Sequence, residues 1–320
     1  MGVLDVSAVA LGGGHGLHAS LSALRRVARE VTAVVTVADD GGSSGRLRRE
    51  FDVLPPGDLR MALSALCGDD QWGQTWMRVL QHRFPGAGEL GDHSLGNLLI
   101  VGLWELLDDP VKGLDMVGRL LGARGRVLPM STVPIDITAE LEGPDGLSTV
   151  RGQVSVATAR GRVASVALDP ADAPVCEEAL AAVAAADWVV MGPGSWFTSV
   201  IPHLLVPRLR EALVSRGDRL VIVLNLQAQP GETGGFTAHD HLAVLSELVP
   251  ELRAHTVIAD RSAVSSSQSL RAAVDALGAD LVLAEVASEP GASAHDPARL
   301  GAALRAVMDE SGLDEGRPGD

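Results

Sequence analysis

Apolar residues recur along the chain in short unbroken runs, each closed by glycine and followed by a stretch with helical spacing. Val6–Leu11 predicts a buried strand, the glycines after it a tight turn, and Leu17 to Glu30 a helix. Val31–Ala38 is β-branched with little alternation, as a strand buried on both faces requires. Strand, glycine turn, helix and strand in that order form a βαβ unit. Residues 39–45 read as a polar loop, and helices are predicted over 58–67, 72–83, 94–107 and 111–122.

The pattern changes over 126–168. Ile135–Glu142, Arg151–Ala157 and Val163–Ala167 read as strands separated by Gly and Asp turns, an antiparallel excursion. Parallel logic resumes with a helix over 174–186, a strand Trp188–Met191, and a glycine loop leading into a helix that reaches Arg216. The strand Leu220–Leu224, a polar loop over 225–241, a helix to Leu252, strands over 256–259 and 281–286, and a last helix over 297–310 complete it. The expectation is an α/β fold, a Rossmann-like three-layer sandwich with a mostly parallel sheet. Residues 1–310 would form one domain carrying the 126–168 insertion, with 311–320 as a flexible acidic tail.

Composition narrows the partners. The formal net charge of −15 over 320 residues disfavours general nucleic-acid or anionic-membrane binding. A small anion remains compatible, because backbone N–H groups and a few arginines override the global field locally. Cys67 and Cys176 make neither a disulfide framework nor a zinc spacing, which points to a reducing, cytoplasmic setting. The N-terminus lacks the basic segment of a signal peptide. Leu98–Leu107, the longest apolar stretch, is too short to span a bilayer.

Candidate chemistry clusters where strands end. Gly12, Gly13, Gly14, His15 and Gly16 lie between a strand and a helix, where glycines permit close backbone approach and a helix N-terminus presents free N–H groups. The spacing fits a dinucleotide fingerprint loosely and is not a Walker A loop; a plain tight turn is the alternative. Asp39-Asp40-Gly41-Gly42-Ser43-Ser44-Gly45-Arg46 follows the second strand. An acidic residue there suits ribose hydroxyls, two carboxylates suit a phosphate-bridging Mg²⁺, and Arg46 suits a phosphate; a solvated turn is the bland reading. Asp58 in Pro55-Pro56-Gly57-Asp58-Leu59-Arg60 reads equally well as a helix N-cap, and Ser94 as another. His93 and Asn97 lie four apart and share a helix face. Gly192, Gly194 and Ser195 form a second glycine loop after a strand, and Asn225 ends the next one. His239-Asp240-His241 reads as helix capping and surface before it reads as a metal site. Two glycine loops on one sheet edge suggest an extended ligand with phosphates near one of them.

Taken together, these blocks resemble the YvcK/CofD family. The carriers are GGGHGL at 12–17, TVADDGGSSGRLR at 36–48, PPGDLR at 55–60, HSLGNLL at 93–99, GPGSWFTSVIPHLLV at 192–206 and NLQAQPGETGGFTAHDH at 225–241. The likeness is greater to the YvcK branch, the gluconeogenesis factors, than to the 2-phospho-L-lactate transferases. It implies a Rossmann-like core, a cytoplasmic location, and a role in carbon metabolism and in cell shape or cell-wall homeostasis on gluconeogenic carbon sources. It also implies UDP-sugar binding, notably of UDP-N-acetylglucosamine, with the diphosphate at 12–16, the acidic-loop role at Asp39 and Asp40, and ligand contacts at Asn97, Gly194, Ser195 and Asn225. The chain departs from the family at His15 (usually Thr), Phe197 (usually Tyr) and Met61 (commonly Asn).

Three functions follow as expectations. The first is a nucleotide-sugar-binding regulator without turnover, since no Cys, Ser or Lys shows a recognisable activating partner in the sequence. The second is an Mg²⁺-assisted phospholactyl transferase, and the third a nicotinamide oxidoreductase. A homodimer is compatible with each.

Overall fold

A computed structural model describes residues 2–143, 146–159, 161–229, 231–264, 267–289 and 291–314. The chain opens with β1 (Leu4–Gly12), α1 (Gly14–Leu24) and β2 (Ala28–Val35). Helices α2 (Gly42–Phe51), α3 (Pro56–Leu66), α4 (Gln71–Gln81), α5 (Leu95–Leu107) and α6 (Pro110–Leu121) follow. Then come β3 (Arg126–Pro129), β4 (Asp136–Gly143), β5 (Gly146–Arg151), α7 (Gln153–Ala157) and β6 (Arg162–Asp169). The rest comprises α8 (Glu177–Ala185), β7 (Trp188–Met191), a π-helical turn (Trp196–Val200), α9 (Pro202–Leu205), α10 (Pro207–Val214) and β8 (Leu220–Val223). It closes with α11 (Ala238–Leu248), β9 (Thr256–Asp260), α12 (Ser267–Ala276), β10 (Asp280–Ala284) and α13 (Pro297–Asp314).

Seven strands form one sheet in the order β10-β9-β8-β7-β1-β2-β3, and every pairing in it is parallel. Strands β7, β8 and β9 are buried along their whole length, the reason their sequences lack polar alternation. The order reverses between β1 and β7, so this is a Rossmann-type sheet with its switch point at that pair. Helices flank the sheet; α1 packs against α3 and α13, while α8 packs against α10. Strands β5, β4 and β6 make a separate antiparallel sheet with β4 in the middle. Along β4, buried Ile137, Ala139 and Leu141 alternate with more exposed positions, as in a half-covered sheet.

Several boundaries differ from the sequence expectation. The first helix stops at Leu24 and β2 starts at Ala28, because the Arg25–Val27 backbone turns back on α1 and pairing with β1 begins early. The loop expected over 39–45 becomes helix from Gly42, since small Gly and Ser residues fit a buried first turn. Arg151–Ala157, read as a strand, is mostly α7, which starts after Gly152 at a φ of +96°. Arg126–Pro129, placed in the insertion, pairs with β2 in the main sheet. The helix expected to run from the second glycine loop to Arg216 is broken into the π-helical turn, α9 and α10, with Pro202 and Pro207 each at the start of a segment. Helix α12 was not expected; its apolar residues are mostly alanines, with Leu270 and Val274 its only large ones. The last helix extends to Asp314, and the remainder of the acidic tail lies outside the described residues. No described helix is long and apolar enough to cross a membrane.

His203 of α9 is wholly buried beneath the switch point, its Nε2 3.1 Å from the Val34 carbonyl oxygen and its Nδ1 3.3 Å from that of Val200. Burial pushes its pKa down to about 4. The unfolded chain then binds a proton that the folded chain refuses. Stability is full above an ordinary histidine pKa of about 6.5 and falls as pH drops toward 4, by roughly 3 kcal/mol in all. Urea denaturation across that window should show the loss, and His203→Gln should flatten this part of the profile.

Candidate functional site

The site begins with β1 and β7 lying side by side, Leu11 opposite Met191. Two glycine loops therefore leave adjacent strand ends. The Ser20 hydroxyl of α1 donates to the Gly192 carbonyl at 2.7 Å, and the Thr36 hydroxyl beyond β2 donates to the Ser199 carbonyl at 2.8 Å. A side chain at Gly16 would collide with the carbonyl oxygen of Pro193 and the backbone of Gly194, so glycine there is what lets the loops touch. Gly14 holds a left-handed φ of +56°.

The two loops differ in what occupies their helix starts. Gly13 is the N-cap of α1, and α1 has no acidic residue in its first turn. His15 and Gly16 line a cavity of about 560 Å³ at the switch point, shared with Gly194, Asn225, Gln229 and His295. At the second loop, Glu232 is buried and accepts hydrogen bonds from the Phe197 N–H at 3.1 Å and the Thr198 hydroxyl at 2.6 Å, with the Ser195 hydroxyl as a further partner. Its carboxyl is pushed up by burial, and these bonds oppose that shift. The chain thus supplies its own carboxylate to the second helix start, while His15 and Gly16 in the first turn of α1 border the cavity. Asn225 holds the second loop by a reciprocal pair: its Oδ1 accepts from the Gly194 N–H at 2.9 Å and its Nδ2 donates to the Gly194 carbonyl at 2.8 Å. Gln229 donates to the Ser195 hydroxyl at 3.2 Å.

On the other side of the first loop lies the acidic segment. Asp39 accepts the Gly41 N–H at 2.9 Å and bonds with the Ser44 hydroxyl; burial, with Asp40 adding to it, pushes its pKa up. Asp40 points elsewhere and accepts the Val154 N–H of α7 at 2.9 Å. A second buried carboxyl, Asp58, is acted on by the Asp39 charge. It accepts the Gly14 N–H, and burial, reinforced by the Asp39 charge, raises its pKa to about 7. A side chain on Gly13 would also run into Asp58. Ser43 receives the Asn97 Nδ2–H at 3.0 Å and lies 3.0 Å from His93 Nδ1. His93 precedes the Ser94 N-cap of α5, so the two share no helix face, yet both converge on one hydroxyl. Asn97 Oδ1 accepts from Arg60 Nε at 2.9 Å, and Arg60, buried, also bonds Gln81. Arg46 donates to the Gly91 carbonyl at 2.8 Å, which turns it toward the 84–92 segment.

Gly12–Gly16, Gly192, Gly194, Ser195 and Asn225 are thus brought together around the switch point. Ser43 and Asn97 form a braced network beside it, and Arg46 and Asp40 are held by other parts of the chain. Asp58 is not a cap: Pro55 occupies the N-cap of α3 and no side chain bonds there. The Ser94 hydroxyl donates to the Leu80 carbonyl at 2.8 Å instead of capping α5. His239-Asp240-His241 resolves into a capping box between Thr237 and Asp240, with no metal-holding group of three or more such side chains among the described residues. Phe197 is buried against Phe236, away from the cavity lining. The roles of Glu232, His18 and His295 had no spacing signal, because their partners are far away in sequence.

These features define a Rossmann-like protein with paired glycine loops at the switch point of a parallel sheet, where ligands of open α/β sheets generally bind. The chain belongs to the 2-phospho-L-lactate transferase CofD family, whose sequence profile matches residues 8–288. A Mycobacterium tuberculosis relative is 53% identical over 306 residues, covering 93% of this chain and 89% of its own. The gluconeogenesis factor of Halalkalibacterium halodurans is 43% identical over 239 residues, covering 75% of this chain and 72% of its own; that of Bacillus subtilis is 37% identical over 236, covering 74% and 73%. A crystal structure of a UPF0052-family protein from Bacillus halodurans matches with a TM-score of 0.84 at 34% identity, over 94% of this chain and 99% of its own.

Asp58 sets a stability prediction. Its folded pKa of about 7 exceeds the ordinary carboxyl value of 3.8, so stability present below 3.8 is lost as pH rises through 7, up to roughly 4 kcal/mol. Asp58→Asn should be more stable than the parent protein at pH above 7 and nearly equal to it below 4, compared by denaturant titration at each pH.

Proposed function

We propose that this chain is a nucleotide-sugar-binding regulator, a gluconeogenesis factor of the kind its relatives are named for, that holds UDP-N-acetylglucosamine or a close analogue at the switch point. On this reading it acts in the cytoplasm, and its ligand reports cell-wall precursor supply during growth on gluconeogenic carbon sources. One observation carries it: two touching glycine loops border, at the first turn of α1, a cavity of about 560 Å³. That volume suits a small-molecule ligand, and the α1 end suits its diphosphate. Cys67 and Cys176 are buried and pushed up to about 11, so neither is a nucleophilic thiolate at neutral pH.

A second reading, Mg²⁺-dependent phospholactyl transfer, is favoured by Asp39 and Asp58, two buried carboxyls near enough for the Asp39 charge to raise the pKa of Asp58. Mg²⁺ is commonly held by one or two carboxylates together with substrate phosphates, and this pair fits that donor set better than Asp39 with Asp40. Bound there, the ion would neutralise charge on a phosphoryl group. Asp39 and Asp58 would hold it, and the Ser44 hydroxyl and Gly14 N–H would orient the two carboxylates.

Calorimetry and thermal shift with UDP-N-acetylglucosamine test the first reading. Saturation at about 100 times Kd should stabilise the protein by about 2.7 kcal/mol. Gly14→Val should abolish the effect, because its left-handed backbone at φ +56° resists a β-branched side chain. Mg²⁺-dependent release of GMP with a deazaflavin acceptor, without UDP-sugar binding, would select the second reading.

A further inference from the structure

No lysine, arginine, aspartate or glutamate lines the cavity beside α1 among the described residues; its titratable lining is His15, His18 and His295. These come from opposite ends of the chain, two from the first turns of α1 and one from the segment just before α13. His295 is buried and its Nε2 has no hydrogen-bond partner. The charged group that acts on it is Asp260, at the end of β9. His18 is acted on by His15 and by Arg25. Asp58 lies behind the same loop, against Gly14.

A diphosphate diester carries negative charge on both phosphoryl groups. The N-terminal end of α1, which also meets the Asp58 carboxyl, offsets at most about half an elementary charge. The chain as a whole, at −15, works against the ligand. The remaining compensation must come from groups within the cavity that acquire charge. We infer that His15, His18 and His295 are the ligand's cationic partners, so that an anionic diphosphate ligand and protons bind together. The identity of that ligand rests on the nucleotide-sugar reading; its charge does not. In the free protein, burial holds His18 and His295 below the ordinary histidine range, so both are mainly neutral at neutral pH. An anion placed beside them favours the imidazolium and draws protons from solvent. Affinity then increases as pH falls.

The test is calorimetric titration of the full chain with UDP-N-acetylglucosamine and, separately, with sulfate, whose own charge is constant across the range. Measurements at about pH 6 and about pH 8, in buffers of different ionisation enthalpy, count the protons taken up. Kd should rise about tenfold per pH unit for each proton fully taken up, with net proton uptake for both ligands. Asp58→Asn should retain this dependence, which separates the histidines from the other group that titrates near neutrality. His18→Asn with His295→Asn should lose most of it. Affinity that does not change with pH, or a dependence that Asp58→Asn abolishes in a folded variant, would overturn the inference. Should sulfate bind with proton uptake while the nucleotide sugar does not bind, the histidine assignment stands and the nucleotide-sugar reading falls. Absence of binding by both ligands at every pH removes both.

Discussion

The structure depends on one close approach: the backbone of the loop after β7 resting on the first turn of α1. It is possible only because position 16 has no side chain to meet the Pro193 carbonyl oxygen. Direct pairing of β1 with β7 brings the loops together, and the bonds from Ser20 and Thr36 hold them there. The cavity and its histidine lining border that contact. A residue larger than glycine at this point would push the two loops apart.

Around this contact the chain buries carboxyl groups that no stability argument would select. Asp39, Asp58 and Glu232 all have pKa values raised chiefly by burial. Each is fastened by backbone or hydroxyl donors from a glycine loop or the turn that follows it. Glu232 satisfies the second helix start and Asp58 the Gly14 N–H of the first, so each glycine loop is fastened to a buried acid from elsewhere in the chain, and both loops border the cavity. Buried, mutually repelling acids beside strained glycine backbone are characteristic of sites where binding or chemistry is favoured over stability.

The fold was largely legible because it rests on local signals. Unbroken apolar runs such as Trp188–Met191 and Leu220–Val223 announced buried parallel strands, and glycine clusters announced the turns after them. The errors fell where local signals are weak or conflict. Val154 and Val156 suggested a strand, but Gly152 and the Asp40 carboxylate start a short helix there. Arg126–Pro129 looked like part of the insertion because its partner, β2, is about ninety residues away.

By itself the sequence determined the parallel α/β core, the two glycine loops and their position after strands, since periodicity and glycine placement act over a few residues. Only the tertiary structure decided which polar groups meet. It turned Asp40 to α7, aimed Asp58 at Gly14, engaged Glu232 with the second loop, and gathered His15, His18 and His295 around one cavity. The physical reason is that a side chain's hydrogen-bond partner and its desolvation depend on neighbours that are distant along the chain, and residue spacing carries no record of them.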